Sequence, residues 1–163
     1  MNPPKSAGAH SLGVTCLLLD VSLILFLFLA PAGAFATVRY VDGSSVSPTL
    51  PYTNWATAAT IIQLAVDAAV AGDEIVVTNG VHATGGRAVG TNVLANRVAV
   101  DKPLTVRSVN GPQFTVIQGR QVPGTTNGDG AIRCMYLADG ASLSGFDVGG
   151  VAVLQFDLFS LVK

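Results

Sequence analysis

Apolar residues recur at helical spacing between Ile61 and Ala69. Ile61, Ala65 and Ala69 fall on one face, flanked by Ile62 and Val66, while Gln63 and Asp67 fall on the other side. Five alanines lie between Ala58 and Ala69, and alanine is the best helix former. The pattern predicts a helix from about Thr57 to Val70. Asn54 or Thr57 would supply its N-cap oxygen, and Gly72 sits where a left-handed residue ends a helix. An amphipathic helix has one apolar stripe and must bury it against another element.

On either side of this stretch the pattern changes to short apolar runs bounded by Gly, Asn, Asp and Pro. Thr37 to Asp42 (TVRYVD) alternates and is rich in β-branched and aromatic residues, which predicts a strand. The segment from Gly43 to about Asn54 reads as an extended loop, held open by Pro48 and Pro51. Ile75-Val76-Val77 begins a sheet after Asp73, and Phe114 to Ile117 supplies another short strand. Two segments look alike: Arg97 to Gly111 (RVAVDKPLTVRSVNG) and Arg133 to Gly149 (RCMYLADGASLSGFDVG). Each has an apolar run, a turn near an Asp, a second apolar run and a Gly. Leu104 and Leu143 correspond at an offset of 39, Asp101 and Asp139 at 38. A repeat offset in this range suits a solenoid or a propeller. Gln118 to Gly130, with its GTTNGDG run, reads as a loop insertion.

Stacked coils suit this pattern because each brief strand pairs with those above and below it, so its backbone groups are satisfied. The expected interior is Val98, Val100, Leu104, Val106, Val116, Ile117, Leu143 and Phe146. The helix would close the exposed apolar end of the first coil, and Trp55 could lie over the same end.

Composition narrows the functional classes. Half of the 163 residues are hydrophobic, 12% are charged, and the net charge is -1. With no basic stripe, nucleic acid is not an expected partner. The N-terminus accounts for part of the apolar bias. Lys5 precedes the apolar segment Leu17 to Ala30, Pro31 breaks it, and Ala34-Phe35-Ala36 fits a small-x-small cleavage pattern. Residues 1–36 therefore read as a signal peptide. The run after Asp20 is shorter than the about 20 apolar residues a membrane span needs. The expected mature chain starts at Thr37, is secreted or held at the cell surface, and has no stable membrane span. It keeps only Cys134 of the two cysteines, so no intrachain disulfide is expected.

The motifs TVRYVD, TNWATAATIIQLAVDAAVAGDEIVVTNGVH, KPLTVRSVNG with TVIQG, and ASLSGF resemble the N-terminal part of right-handed parallel β-helix proteins of the pectate-lyase-like class, in secreted bacterial versions. They cover most of residues 37–149. The resemblance implies an all-β fold, a right-handed parallel β-helix (solenoid) that begins with a short capping α-helix. It also implies that residues 37–150 hold only the cap and the first coils, since members of the class have many more. Residues 151–163 (VAVLQFDLFSLVK) lack the Gly and Asn corners and are expected to be a truncated, atypical tail or one more rung.

The class includes polysaccharide lyases, glycoside hydrolases, epimerases, adhesins and tailspike-like binding proteins. Two functions follow as expectations. One is a carbohydrate-binding or adhesive solenoid without catalysis, whose partner is a polysaccharide or cell-surface glycan. The other is the N-terminal fragment of a lyase or hydrolase.

Candidate chemistry is sparse. Asp73 and Glu74 are adjacent, and strand neighbours point to opposite faces, so they do not converge as an acid/base pair. The plainer reading is a helix end followed by a solvated strand start. Asn127 and Asp129 could give oxygens to calcium, which pectate lyases of the class often use, but calcium wants six to eight and a simple turn explains them. No other cofactor is expected. His82 lacks a nucleophile motif nearby, and Cys134 alternates with Ile132 and Tyr136 as a buried thiol would. Arg107, outward if Val106 points inward, is expected to share an outer face with Arg133 and touch an acidic glycan. Solubilising charge is the plainer reading of both.

Overall fold

The structure, a computed structural model, describes residues 1, 35–91, 94–124, 128, 130–149 and 155–156. The chain divides into two units, Met1–Ala34 and Phe35–Lys163, and every element below belongs to the second. Among the described residues no helix is long and apolar enough to cross a membrane.

Among the described residues eleven short strands form three sheets. Sheet A holds β1 (Val38–Val41), β2 (Glu74–Val77), β6 (Thr105–Ser108) and β9 (Ser142–Ser144), neighbouring in that order. Sheet B is ordered β3 (Gly80–His82), β7 (Thr115–Gln118) and β10 (Asp147–Gly149). Sheet C runs β4 (Arg87–Ala88), β5 (Ala95–Val100), β8 (Ile132–Leu137) and β11 (Gln155–Phe156). All strand ladders are parallel except that of β4 with β5. From β2 onward the chain visits the sheets in the order A, B, C and repeats that order. The fold is all-β and built of parallel sheets.

Why these residues form strands is visible in β2 and β6. Their β-branched positions alternate between an inner and an outer face in a common register, with Ile75 opposite Val106 opposite Leu143. The inner residues Val41, Ile75, Val77 and Val106 of sheet A meet Val98, Val100 and Met135 of sheet C and Ile117 of sheet B in one cluster, each 2% exposed or less. Each such side chain contributes about 1.5–3 kcal/mol by leaving water. Of the expected interior, Val98, Val100, Leu104, Val106 and Ile117 are buried, and Leu143 and Phe146 pack against them half-buried. Val116 is an exception: Thr115 and Ile117 take the buried positions of β7, and Val116 alternates between them.

The repeat offset is smaller than the sequence comparison suggests. Thr105 lies opposite Ser142 and Val106 opposite Leu143, an offset of 37. Leu143 is therefore the partner of Val106 and not of Leu104. A slip of two residues preserves the face on which a side chain lies, so Leu143 still points inward.

The helix is shorter than its pattern. A 3-10 turn, Trp55–Thr57, comes first, capped by Asn54, whose Oδ1 accepts the Thr57 N–H at 3.0 Å. The α-helix α1 spans Ile62–Ala68. It packs against β1, β2 and β5. Ile62, Ala65, Val66 and Ala69 are buried as expected, but Ile61 is only half-buried. Gln63, placed by its pattern on the polar side, is buried too. Its amide lies against β5: the Ala99 N–H donates to Oε1 at 2.7 Å, and Nε2 donates to the Ala99 carbonyl at 3.2 Å. A side chain thus makes the two bonds that a neighbouring strand would make. Asp67 accepts a further bond from Nε2 at 2.8 Å and so fixes which way the amide points. At the other end of α1, the Lys102 ammonium donates to the carbonyls of Val66 (3.1 Å) and Ala69 (3.3 Å), which suits the negative end of a helix.

The outer edge of β1 is also occupied. Tyr40 N–H donates to Tyr52 O at 2.8 Å, Ala59 N–H to Tyr40 O at 2.9 Å and Asp42 N–H to Ala59 O at 2.8 Å. Unpaired edges invite foreign strands, and the loop between β1 and α1 removes this one.

Asp73 corrects the expectation of a solvated strand start. It is 1% exposed and faces the buried Arg39. Its Oδ2 accepts from Arg39 Nη2 (3.0 Å), Arg39 Nε (3.2 Å) and the Val70 N–H (3.0 Å), and its Oδ1 from the Thr37 N–H (2.8 Å). Burial alone would raise this carboxyl. The N–H groups of Val70 and Thr37, with the Arg39 guanidinium, outweigh that and hold it below the ordinary carboxylate range.

Candidate functional site

A short, polar corner follows each of the first three strands of sheet A. Asp42-Gly43 follows β1, Thr78-Asn79 follows β2, and Val109-Asn110 follows β6. Because Val41 is level with Val77 and Val77 with Ser108, the corners stack as the strands do. Backbone bonds continue the ladder past the strand ends: Thr78 N–H to Val41 O at 3.0 Å and Val109 N–H to Val77 O at 2.9 Å. The side chains follow suit, and Asn110 Nδ2 donates to Asn79 Oδ1 at 2.9 Å.

Trp55 stands beside this stack. The Asn54 cap sets the 3-10 turn that carries it, and its ring rests on Tyr40 with centroids 4.4 Å apart and planes tilted by 58°. Trp55 is 43% exposed. It belongs to the loop that covers the outer edge of β1, and its ring walls a groove. The groove has a volume of about 480 Å3 and is lined by Asp42, Ser44, Trp55, Thr78, Asn79, Val109 and Asn110.

Asp42 is the charged group of that lining. Its Oδ1 accepts from Ser44 Oγ at 2.6 Å and from the Ser44 N–H at 2.9 Å. The Ser44 hydroxyl first, and then the Ser44 N–H, hold the carboxyl below its ordinary value against a smaller opposing effect of burial. The Thr78 hydroxyl is close enough to contribute, though it completes no hydrogen bond of its own. His82, on β3, is buried just behind, with Nε2 3.3 Å from the Thr78 carbonyl. A carbonyl can only accept, so Nε2 carries the proton. Burial pushes this histidine below its ordinary value, while the Thr78 carbonyl and Asp42 pull it partly back.

The arrangement is suited to holding a polyol. The aromatic face offers an apolar platform, and the amides, the hydroxyls and one carboxylate offer donors and acceptors beside it. It is not suited to glycoside hydrolysis by paired carboxylates, which needs two acids facing one bond. Among the described residues Asp42 is the single carboxylate on the wall, Asp73 is committed to Arg39, and Glu74 to Arg107.

The sites named from the sequence lie elsewhere. Val106 is fully buried and the Arg107 side chain is 44% exposed, so Arg107 does point outward, with its Nε on Glu74. Arg133 belongs to β8 in sheet C, level with Asn96 of β5. The two arginines sit on different sheets and form no common outer face. Asn127 and Asp129, the candidate calcium ligands, lie outside the described residues. Among the described residues no group of three or more His, Cys, Asp or Glu is placed to hold a metal ion. Cys134 is buried, with Sγ 3.4 Å from the Gly149 carbonyl, and burial pushes its thiol up. Asp42, Asn79, Asn110 and Trp55 were not among the sequence candidates. The signal that marks the first three is an Asx-Gly pair just after β1, β2 and β6: Asp42-Gly43, Asn79-Gly80 and Asn110-Gly111.

Fold and site together define an all-β chain of parallel sheets with a polar, tryptophan-walled groove over one stack of corners. Comparison with protein-family models, with curated proteins and with solved structures gave no match. The likeness to pectate-lyase-like proteins rests on the quoted residues alone.

Proposed function

We propose that residues 37–150 form the cap and first coils of a right-handed parallel β-helix, and that the groove binds a polysaccharide or cell-surface glycan without catalysis. The cyclic visiting of three sheets supports the coiled reading, as does α1 lying against β1 of sheet A and β5 of sheet C. The leader-like pattern of residues 1–36 supports a secreted or surface protein. The observation that carries the binding reading is the half-exposed Trp55 ring set beside stacked Asn79 and Asn110 and ionised Asp42.

Trp55 is the only tryptophan, so its fluorescence reports on the groove directly. Titration of the secreted protein with a panel of soluble polysaccharides is expected to shift Trp55 emission for at least one of them. Trp55→Ala is expected to weaken that binding, read by calorimetry, about tenfold or more, in line with the roughly 2 kcal/mol or more that truncating a tryptophan anchor costs a binding surface. A panel in which no glycan moves the emission, or a Trp55→Ala protein that binds as well as the parent, overturns the proposal.

A further inference from the structure

We infer that the groove takes an uncharged glycan chain lying along the stack of corners, across the strands, and turns away chains of uronic acid; this rests on the glycan-binding reading above. The direction follows from where the polar groups come from. Asp42, Asn79 and Asn110 belong to the corners after β1, β2 and β6, three successive strands of one sheet. Neighbouring strands are about 4.8 Å apart, close to the length of one pyranose unit. A chain running along the stack would meet one corner per sugar, whereas a chain running along the strands would leave the groove after one corner.

The preference for uncharged sugars follows from the charge and the open hydrogen-bonding groups. Among the described residues Asp42 is the one charged side chain on the wall, and no arginine or lysine lines it. Arg107, the nearest candidate for a uronate partner by sequence, is held by Glu74 on the outer face of sheet A. Both Ser44 bonds fall on Asp42 Oδ1, which leaves Oδ2 to accept from a sugar hydroxyl. The bond between Asn110 and Asn79 uses one amide N–H and one amide oxygen. Asn79 therefore keeps its NH2 and Asn110 its carbonyl, a donor and an acceptor for neighbouring hydroxyls. A uronic acid chain would bring a carboxylate per sugar toward Asp42 with no cation on the wall to offset it.

The test titrates the protein with cellohexaose, chitohexaose and hexagalacturonate, reading Trp55 emission at low and at physiological salt. At least one uncharged hexasaccharide is expected to bind about tenfold more tightly than hexagalacturonate at low salt, the size expected for one unscreened like-charge contact. Added salt is expected to narrow the ratio. Asp42→Asn, which keeps an oxygen for Ser44 and removes the charge, is expected to narrow it at low salt too. Hexagalacturonate binding as tightly as the uncharged sugars, or a ratio that moves with neither salt nor Asp42→Asn, overturns the inference and leaves the glycan-binding reading standing. If none of the three moves the emission while a polysaccharide of the panel does, the chain direction and sugar class are both wrong. If nothing moves it at all, the glycan-binding reading falls as well.

Discussion

Replacing Asp73 with Asn removes one charge, no heavy-atom volume and much of the support of the β1 end of sheet A. Four donors converge on this carboxylate: two from Arg39 and the N–H groups of Val70 and Thr37. Three of them share Oδ2. An amide has one oxygen, so its NH2 must face either the Thr37 N–H or the Oδ2 group of donors. Arg39, with its side chain 8% exposed, is then buried without a counter-charge. Removing one partner of a buried pair costs about 3–5 kcal/mol, and Asp73→Asn is expected to fall in that range by urea denaturation at pH 7. The charge accounts for most of this, so the same change in an Arg39→Met background is expected to cost about 2 kcal/mol less.

The sign with pH follows from the lowered carboxyl. Both states are ionised at pH 7. As pH falls below 3.8, the ordinary value, the unfolded chain takes up the proton before the folded one does, and the stability this group contributes drains away until the folded carboxyl is protonated. Asp73→Asn is expected to flatten the acid limb of the stability curve by one group, with Asp42 still titrating. An Asp73→Asn penalty under 1 kcal/mol, or one equal in the two Arg39 backgrounds, would refute the reasoning.

Gln63→Leu fills similar space but leaves the Ala99 N–H and C=O buried without partners, and is expected to cost about 2–5 kcal/mol; native-state hydrogen exchange should show the Ala99 amide losing protection first. Thr115→Val is expected to go the other way. The Thr115 side chain is fully buried and its Oγ1 makes no hydrogen bond, so removing the hydroxyl at nearly constant shape is expected to stabilise by about 1–2 kcal/mol in a thermal melt.

Much of the scaffold was legible in the hydrophobic pattern. Period-two alternation located β1, short apolar runs marked β6 and β7, and the 3.6-residue stripe of Ile62, Ala65, Val66 and Ala69 located α1. Pattern fails where a polar side chain is buried because the backbone needs it. Gln63 and Asp73 read as solvent-facing, and both are buried by bonds to groups 36 residues and 34 residues away. The exact register was hidden too, since matching leucines favoured an offset two residues too long. The groove was less legible still. Its residues come from three corners and a 3-10 turn, and only the stacking of strands brings Asn79 to Asn110 across 31 positions. Charge drew attention to Arg107 and Arg133, yet a charge in the sequence says nothing about which sheet carries it.

The amide of Gln63 bonds to β5 of sheet C, and the loop through Tyr52 and Ala59 covers the outer edge of β1 in sheet A. That gives the assembly a polarity like that of a zipper with its stop at one end. The loop over β1 precedes β2 in the chain, so that edge is covered by residues made before the next strand of sheet A. Two copies meeting at their sealed faces have few amide and carbonyl groups to exchange there, which steers any unwanted joining away from that end.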